Sequence, residues 1–288
     1  MEPAPVLVQA RDQFLAMVQD IRPELHRYCA RLTGSVIEGE DIVQDTLAKA
    51  FYALTLQSEV PPLRPWLFRI AHNAALDYLK SHGHKYTEPR AELDDRPELD
   101  DAPDPYALRA ALSRFLALTV TERSAVILKD VLGHSLDEAA ATMDATIPAV
   151  KAALVRGRAK LRAPAPAPEA LASDAEARAQ LDSYARLFNA RDWDGVRALI
   201  GEDCRLDVVT RSQRRGKAVG FYFDRYQQED VRLEVVSFEG RLALAALVAP
   251  FRSPSYVVLL EWSAGKVQSI RDFRYVPYIV ADAELAAP

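Results

Sequence analysis

Apolar residues recur at three- and four-residue steps through Val43, Leu47, Ala50, Phe51 and Leu54, which places them on one stripe of a helix and leaves Glu40, Asp41, Gln44 and Asp45 on the other side. A second helix is predicted to open at Pro65, a tolerated first-turn position, and to bury Trp66, Leu67, Ile70, Ala71, Ala74, Ala75, Leu76 and Leu79. Its polar face carries Arg69, Asn73, Asp77 and Lys80, a row that suits nucleic acid and equally suits water. Further on, Thr121 is placed to cap a helix through Arg123, Val126, Ile127 and Val131, ended by Gly133. Ser135 and Glu138 have the spacing of a capping box, and that short helix should stop near Met143 and Asp144. Thr146 then caps a third helix with Pro148 in its first turn, Val150 and Leu154 inward, and Lys151, Ala152, Val155 and Arg158 outward.

The pattern changes after about residue 174. Helical periodicity runs through Leu181, Tyr184, Ala185, Leu187 and Phe188, and a shorter helix follows over 193–200. Strand-like runs then occupy 204–209, 231–238, 242–249, 255–262 and 266–275, with a helix near 217–228. Helices followed by an antiparallel sheet describe an α+β domain, so the fold class expected is multidomain: two all-α pieces, then α+β.

Length and composition fit this division. The chain has 288 residues with 49% hydrophobic and 27% charged positions, long enough for two or three cores and too apolar to be disordered. Prolines cluster at Pro89, Pro97, Pro103 and Pro105, and again in the Ala-Pro run of Pro164, Pro166 and Pro168, marking two linkers. The expected pieces are 10–86, an acidic linker 87–106, 107–163, an Ala/Pro linker 164–173, and 174–282. The net charge of −5 argues against a uniformly basic protein, yet it averages over −1 for 1–86, −5 for 87–110, +3 for 111–163 and −2 for 164–288. Residues 145–163 hold Lys151, Arg156, Arg158, Lys160 and Arg162 with no acid. Two short helices joined by a tight turn, the second rich in outward cations, read as a helix-turn-helix whose second helix enters the major groove while Lys and Arg neutralise phosphates; the alternative is a three-helix bundle with a solvated basic face.

Cys29 and Cys204 lie far apart and outside any Cys-x-x-Cys pair, which fits a reducing, cytoplasmic setting, and no apolar run is long enough to span a bilayer. His82 and His84 form a His-x-His pair without further signalled ligands, so neither a metal nor a cofactor is expected, and His26, His72 and His134 read as ordinary hydrogen-bonding residues.

The segments Glu40-Asp41-Ile42-Val43-Gln44-Asp45-Thr46-Leu47, Pro65-Trp66-Leu67-Phe68-Arg69-Ile70-Ala71-His72-Asn73, and Thr121-Glu122-Arg123 through Arg156-Gly157-Arg158-Ala159-Lys160-Leu161 resemble, in this order, regions 2 and 4 of the extracytoplasmic-function (ECF) sigma factors of bacterial RNA polymerase. The resemblance implies a non-enzymatic initiation factor whose partners are core RNA polymerase, through the β′ clamp helices and the β flap, and promoter DNA. Asp41, Gln44 and Asp45 would dock on polymerase. Arg69, Asn73 and Lys80 would contact the minus 10 element; Pro148, Ala149, Lys151, Ala152 and Val155 would read the minus 35 element, with Arg156 and Arg158 on phosphate. The family often has a dense Arg run after the position of Lys80, where this chain has Ser81-His82-Gly83-His84-Lys85.

The third piece resembles the SnoaL-like cone found fused behind some ECF sigma factors, through Asn189-Ala190-Arg191-Asp192-Trp193, Arg215-Gly216 and Arg271-Asp272-Phe273-Arg274-Tyr275. Such cones enclose pockets, and Asp207, Asp272, Tyr222, Tyr226 and Trp262 are the candidate lining here. No His follows His134, which removes the favoured near-neutral base, so the acids are expected to pair with Arg205, Arg271 or Arg274 and the aromatics to pack a core. The resemblance therefore implies a regulatory domain contacting the helical pieces; an enzyme or small-molecule sensor is the alternative.

Overall fold

The computed structural model describes residues 13–56, 61–81, 102–163, 175–219, 222–283 and 285–286. The chain divides into two compact units, one ending at Pro166 and the other beginning at Ala167.

The first unit is helical. Helix α1 (Arg22–Thr33) ends at Gly34, whose φ of 86° is left-handed. Helix α2 (Val36–Thr55) starts under Ser35, whose hydroxyl accepts from the amides of Ile37 and Glu38 at 3.2 and 3.4 Å. Helix α3 (Leu63–Ser81) begins two residues before Pro65, which still falls in its first turn. Short helices α4 (Pro105–Arg109) and α5 (Leu112–Phe115) lead into α6 (Val120–Val126), which continues as a π-helical turn over Ile127–Val131. Its cap is Thr119 rather than Thr121: the Thr119 hydroxyl accepts from the Glu122 amide at 3.3 Å, and Glu122 returns the bond to the Thr119 amide at 3.0 Å. Helices α7 (Leu136–Met143) and α8 (Ile147–Arg162) have the expected caps, Ser135 in a capping box with Glu138 and Thr146 with Pro148 in the first turn; Asp144 ends α7 in the left-handed region.

The two helical pieces expected as separate domains share one hydrophobic core. Tyr28, Leu32, Leu67 and Phe68 from the first pack in the same cluster as Phe115, Val126, Leu128 and Leu154 from the second. Polar contacts cross the same seam. The Tyr28 hydroxyl lies 2.6 Å from His72 Nδ1 and 3.4 Å from Ser124 Oγ, and the buried Arg123 guanidinium donates to the Leu32 carbonyl and, at 3.1 Å, to the Leu118 carbonyl. Gly34 suits its left-handed backbone, and a Cβ there would also displace the exposed Leu116 side chain, 2.5 Å away.

In the second unit α9 (Ala175–Asn189) and α10 (Trp193–Leu199) precede β1 (Ile200–Val208) and β2 (Ser212–Arg215). A 3-10 turn over Gly216–Val219 and the short helix α11 (Tyr222–Tyr226) stand where one helix was expected. Strands β3 (Val231–Phe238), β4 (Arg241–Val248), β5 (Tyr256–Ser263) and β6 (Lys266–Asp272), helix α12 (Tyr278–Asp282) and β7 (Leu285–Ala286) complete it. The sheet order is β2-β1-β6-β5-β4-β3-β7, and β1 pairs with β6 in parallel, a departure from the all-antiparallel expectation. One face buries Cys204, Leu206, Ile270, Val258 and Leu244 under Tyr184, Phe188 and Phe223 of the helices, giving the α+β architecture that the cone resemblance implies.

Candidate nucleic-acid interface

One position singled out on α3, Arg69, and one on the helix-turn-helix, Ala149, line the same cleft. Arg69, Ala140, Ala141, Asp144, Ala145, Thr146 and Ala149 line an open cleft of about 550 Å³. Across it Arg69 Nη2 reaches Asp144 Oδ1 at 3.5 Å, with both side chains more than half exposed, so the pair itself contributes only about 0–1 kcal/mol. The shared core beneath, not this ion pair, holds the cleft walls together. Asn73 and Lys80 are exposed on the same helix.

On α8 the buried row is Val150, Ala153, Leu154, Gly157, Arg158 and Leu161. Pro148, Lys151, Ala152 and Arg156 are exposed, while Ala149 and Val155 are half-buried. Arg158 therefore does not face outward, and its assignment to phosphate is corrected: its guanidinium binds both oxygens of buried Asp130, at 3.0 and 2.6 Å, and the Ala102 carbonyl at 3.0 Å. An eighth residue after Val150 lands back on the inward stripe of a 3.6-residue helix, which is why it turns in. The other cations are partly spoken for. Glu122 receives Lys160 at 2.7 Å and Arg156 at 3.4 Å, and Arg162 meets Asp104 at 2.8 Å. Burial alone would raise the Glu122 carboxyl, but the Lys160 hydrogen bond and the Thr119 amide outweigh it and hold its pKa below the ordinary value. Lys151 is the exposed cation of the helix's first half.

On α2, Asp41 and Asp45 are exposed, with Asp45 2.7 Å from Lys49, and Gln44 donates to Glu40 at 3.5 Å. Glu40, counted with the outward acids by spacing, is fully buried and paired with Arg22 of α1. The three histidines among the described residues are buried: His26 Nε2 lies 2.9 Å from the Val36 carbonyl oxygen, His72 meets Tyr28, and His134 stands edge-on to Phe68 at 4.7 Å. Burial lowers the His72 pKa to about 4 and also lowers that of His134. His82 and His84 lie outside the described residues, and among the described residues no group of three or more His, Cys, Asp or Glu side chains could hold a metal ion. Cys29 and Cys204 are free and buried, and no described helix is long and apolar enough to cross a membrane.

The candidate pocket of the second unit separates into three places. Tyr222, Tyr226 and Asp272 come together: both hydroxyls donate to Asp272 Oδ2, at 2.7 and 3.1 Å, and the Arg274 amide donates to Oδ1 at 2.9 Å. Tyr256, outside the candidate lining, and Arg274, expected as a partner of the acids, complete the cluster: the Tyr256 hydroxyl lies 3.2 Å from that of Tyr226, and Arg274 donates to the Tyr256 hydroxyl at 2.7 Å. Both stood in segments legible as strand or motif, and only the register of β5 beside β6 brings them in. Burial raises the Asp272 pKa despite the Tyr222 bond and the Arg274 charge, and it drives both tyrosine hydroxyls well upward. Asp207 does not join them. Asp272 and Leu206 belong to the buried face, so Asp207, one residue on, projects from the opposite face, where it lies 3.6 Å from Arg271. Trp262 shares the face of Asp272 but stands four residues along β5 from Val258, the register partner of Asp272, about 13 Å away.

Residues 17–85 match the family Sigma-70 region 2, and residues 108–161 match Sigma-70, region 4. RNA polymerase sigma factor NccH of Alcaligenes xylosoxydans xylosoxydans is 32% identical over 132 residues, 43% of this chain and 71% of NccH. ECF RNA polymerase sigma factor SigG of Mycobacterium tuberculosis is 31% identical over 216 residues, 65% of this chain; the chain spans 58% of the length of SigG. Among solved structures, the extracytoplasmic function sigma factor SigJ of Mycobacterium tuberculosis aligns over 91% of this chain and 98% of its own at 21% identity, with a TM-score of 0.35.

Proposed function

The chain belongs to the sigma-70 family of RNA polymerase sigma factors, with ECF-type members among its relatives, and from that premise we propose that it directs core RNA polymerase to promoters, its output set by its own C-terminal α+β unit. The observation that carries this reading is the outward row of α8, where Pro148, Lys151, Ala152 and Arg156 are exposed behind a capped N-terminus, the form in which a helix enters a major groove. In this reading Lys151 and Arg156 supply the charge at the minus 35 element, Val155 and Pro148 the apolar contact, and Arg69, Asn73 and Lys80 the minus 10 contacts. Asp41, Gln44 and Asp45 form the polymerase-facing side of α2.

Arg69 and Ala149 line one cleft, yet the elements they would read stand about 25 base pairs, or about 85 Å, apart along DNA. The helical unit therefore rests closed and opens on engagement, which makes the closed form a natural point of control. The C-terminal unit fits a regulatory part better than an enzyme, because Asp272, its most buried carboxylate, is already satisfied by two tyrosines and the Arg274 amide. Run-off transcription with core polymerase on a promoter library tests the reading. Lys151→Ala should lower both promoter binding and output, and truncation after Arg162 should change output in either direction. Unchanged transcription in both variants would remove the proposal.

A further inference from the structure

The β1–β2 hairpin concentrates positive charge in a unit that is otherwise acidic. Residues 205–217 hold Arg205, Arg211, Arg214, Arg215 and Lys217 against the single acid Asp207, whereas 164–288 as a whole has a net charge of −2. Asp207 is engaged by Arg271 across the neighbouring strand. Arg205 and Arg215 are register partners across β1 and β2, so two like charges stand directly opposite on one face, an arrangement that destabilises a sheet. Arg214 pairs with Leu206 and projects from the other face, and Arg211 stacks over the Tyr275 ring at 4.6 Å near the turn. Arg205, Arg214 and Arg215 are exposed, and none forms an ion pair with a carboxylate among the described residues. Strand β2 is the outermost of the sheet, so one side of this row is open.

A like-charge pair retained on an open edge, with no carboxylate paired to it among the described residues, departs from the local rules of sheet stability, and such departures mark function. We infer that the hairpin is a docking surface for the phosphodiester backbone of duplex DNA. The chemistry favours phosphate over an acidic protein. Protein interfaces draw their affinity from buried aromatic or aliphatic anchors, and the exposed large apolar residues among those described, such as Tyr52, Leu56 and Val248, all lie outside 205–217. Phosphate contact needs only cations at backbone spacing, and Arg205 and Arg215, with Cα atoms about 5 Å apart, can splay onto neighbouring phosphates of one strand. This surface does not rest on the promoter assignments of α3 and α8.

The test is fluorescence anisotropy of the full chain with a labelled 30-base-pair duplex lacking any promoter, across a salt series. Replacing Arg205, Arg214 and Arg215 together by Gln should lower the slope of log affinity against log salt by about 2 to 3, since each phosphate contact contributes about 0.9. The corresponding triple Lys variant should keep the slope, because charge rather than shape is what the surface supplies. Lys151→Ala, in the other unit, should shift the slope by about one on its own, so the two readings fail separately. An unchanged slope in the Gln variant overturns the inference, as does a slope lost equally in the Lys variant. Labelled polyglutamate is the probe for an acidic protein: if the Gln variant loses polyglutamate binding but keeps its DNA slope, the occupant is a protein and the DNA assignment falls. Thermal unfolding of the Gln variant should occur no lower than in the parent chain, because the opposed Arg205 and Arg215 charges are gone.

Discussion

A cation's place in the sequence says little about its freedom in the fold. The run 145–163 contains no acid, yet Arg158 is buried on Asp130, Lys160 and Arg156 flank Glu122, and Arg162 meets Asp104. Asp104 lies within the expected acidic linker, so charge that reads as a spacer also serves as a counter-ion. Of these pairs Arg158–Asp130 is buried on both sides; such a pair adds little net stability but strongly penalises loss of one partner, so it fixes where α8 sits on the π turn. The same burial governs His72. Its imidazole is neutral in the folded state because desolvation lowers its pKa to about 4, while the unfolded chain protonates it near 6.5. The folded state thus binds fewer protons between these values, so its stability is complete above about pH 6.5 and drains away as pH falls toward 4. At 1.36 kcal/mol per pH unit the loss is up to about 3 kcal/mol, and His134 acts in the same direction. Urea unfolding of the full chain at pH 7 and pH 4.5 should show the helical unit weakening, and His72→Gln should lose much of that difference. An identical pH response in the variant would refute the assignment.

At the scale of elements, what was legible in the sequence is what local chemistry decides. Ser135 and Thr146 are read correctly as caps because a hydroxyl, a first-turn proline and a returning glutamate act within a few residues. The start of α6 is the instructive miss: Thr119 and Thr121 both offer a hydroxyl, but only Thr119 has Glu122 three residues on to close the box. Thr119→Ala should therefore destabilise the helical unit by about 1 kcal/mol, with Thr121→Ala costing a few tenths at most, as measured by denaturant midpoints. Equal losses in the two variants would place the cap wrongly. Features decided by distant partners were not legible. Glu40 falls on the polar side by spacing and is buried where α2 packs closely on α1 at Gly39 and Ala30, with Arg22 of α1 as its ion-pair partner. The polar strand β2 has no alternation to announce it, and the parallel pairing of β1 with β6 depends on where four intervening strands lie. Of the five candidate lining residues, Tyr222, Tyr226 and Asp272 come together through hydrogen bonds, whereas the two-residue period of a strand turns Asp207 to the opposite face.

For the whole molecule the decisive fact is that the two family regions share one core. A compact unit of about 166 residues has a radius of gyration of about 15 Å, far short of the roughly 85 Å between the elements its two surfaces would read. In the reading proposed above, the closed unit would keep α3 and α8 from engaging one promoter at once. The opening cost lies in the apolar seam of Tyr28, Phe68, Val126 and Leu154, not in the exposed Arg69–Asp144 pair, so replacing that pair leaves the unit folded and closed. The pair can then be used to lock the seam. In Arg69→Cys/Asp144→Cys, a short cleavable bismaleimide should bridge the new thiols selectively, because the native Cys29 and Cys204 are both buried. The bridged protein should lose most of its run-off transcription relative to the unbridged double variant and regain it when the linker is cut. If the bridged form transcribes as well as the unbridged one, the regions act without separating, and control must lie outside the seam.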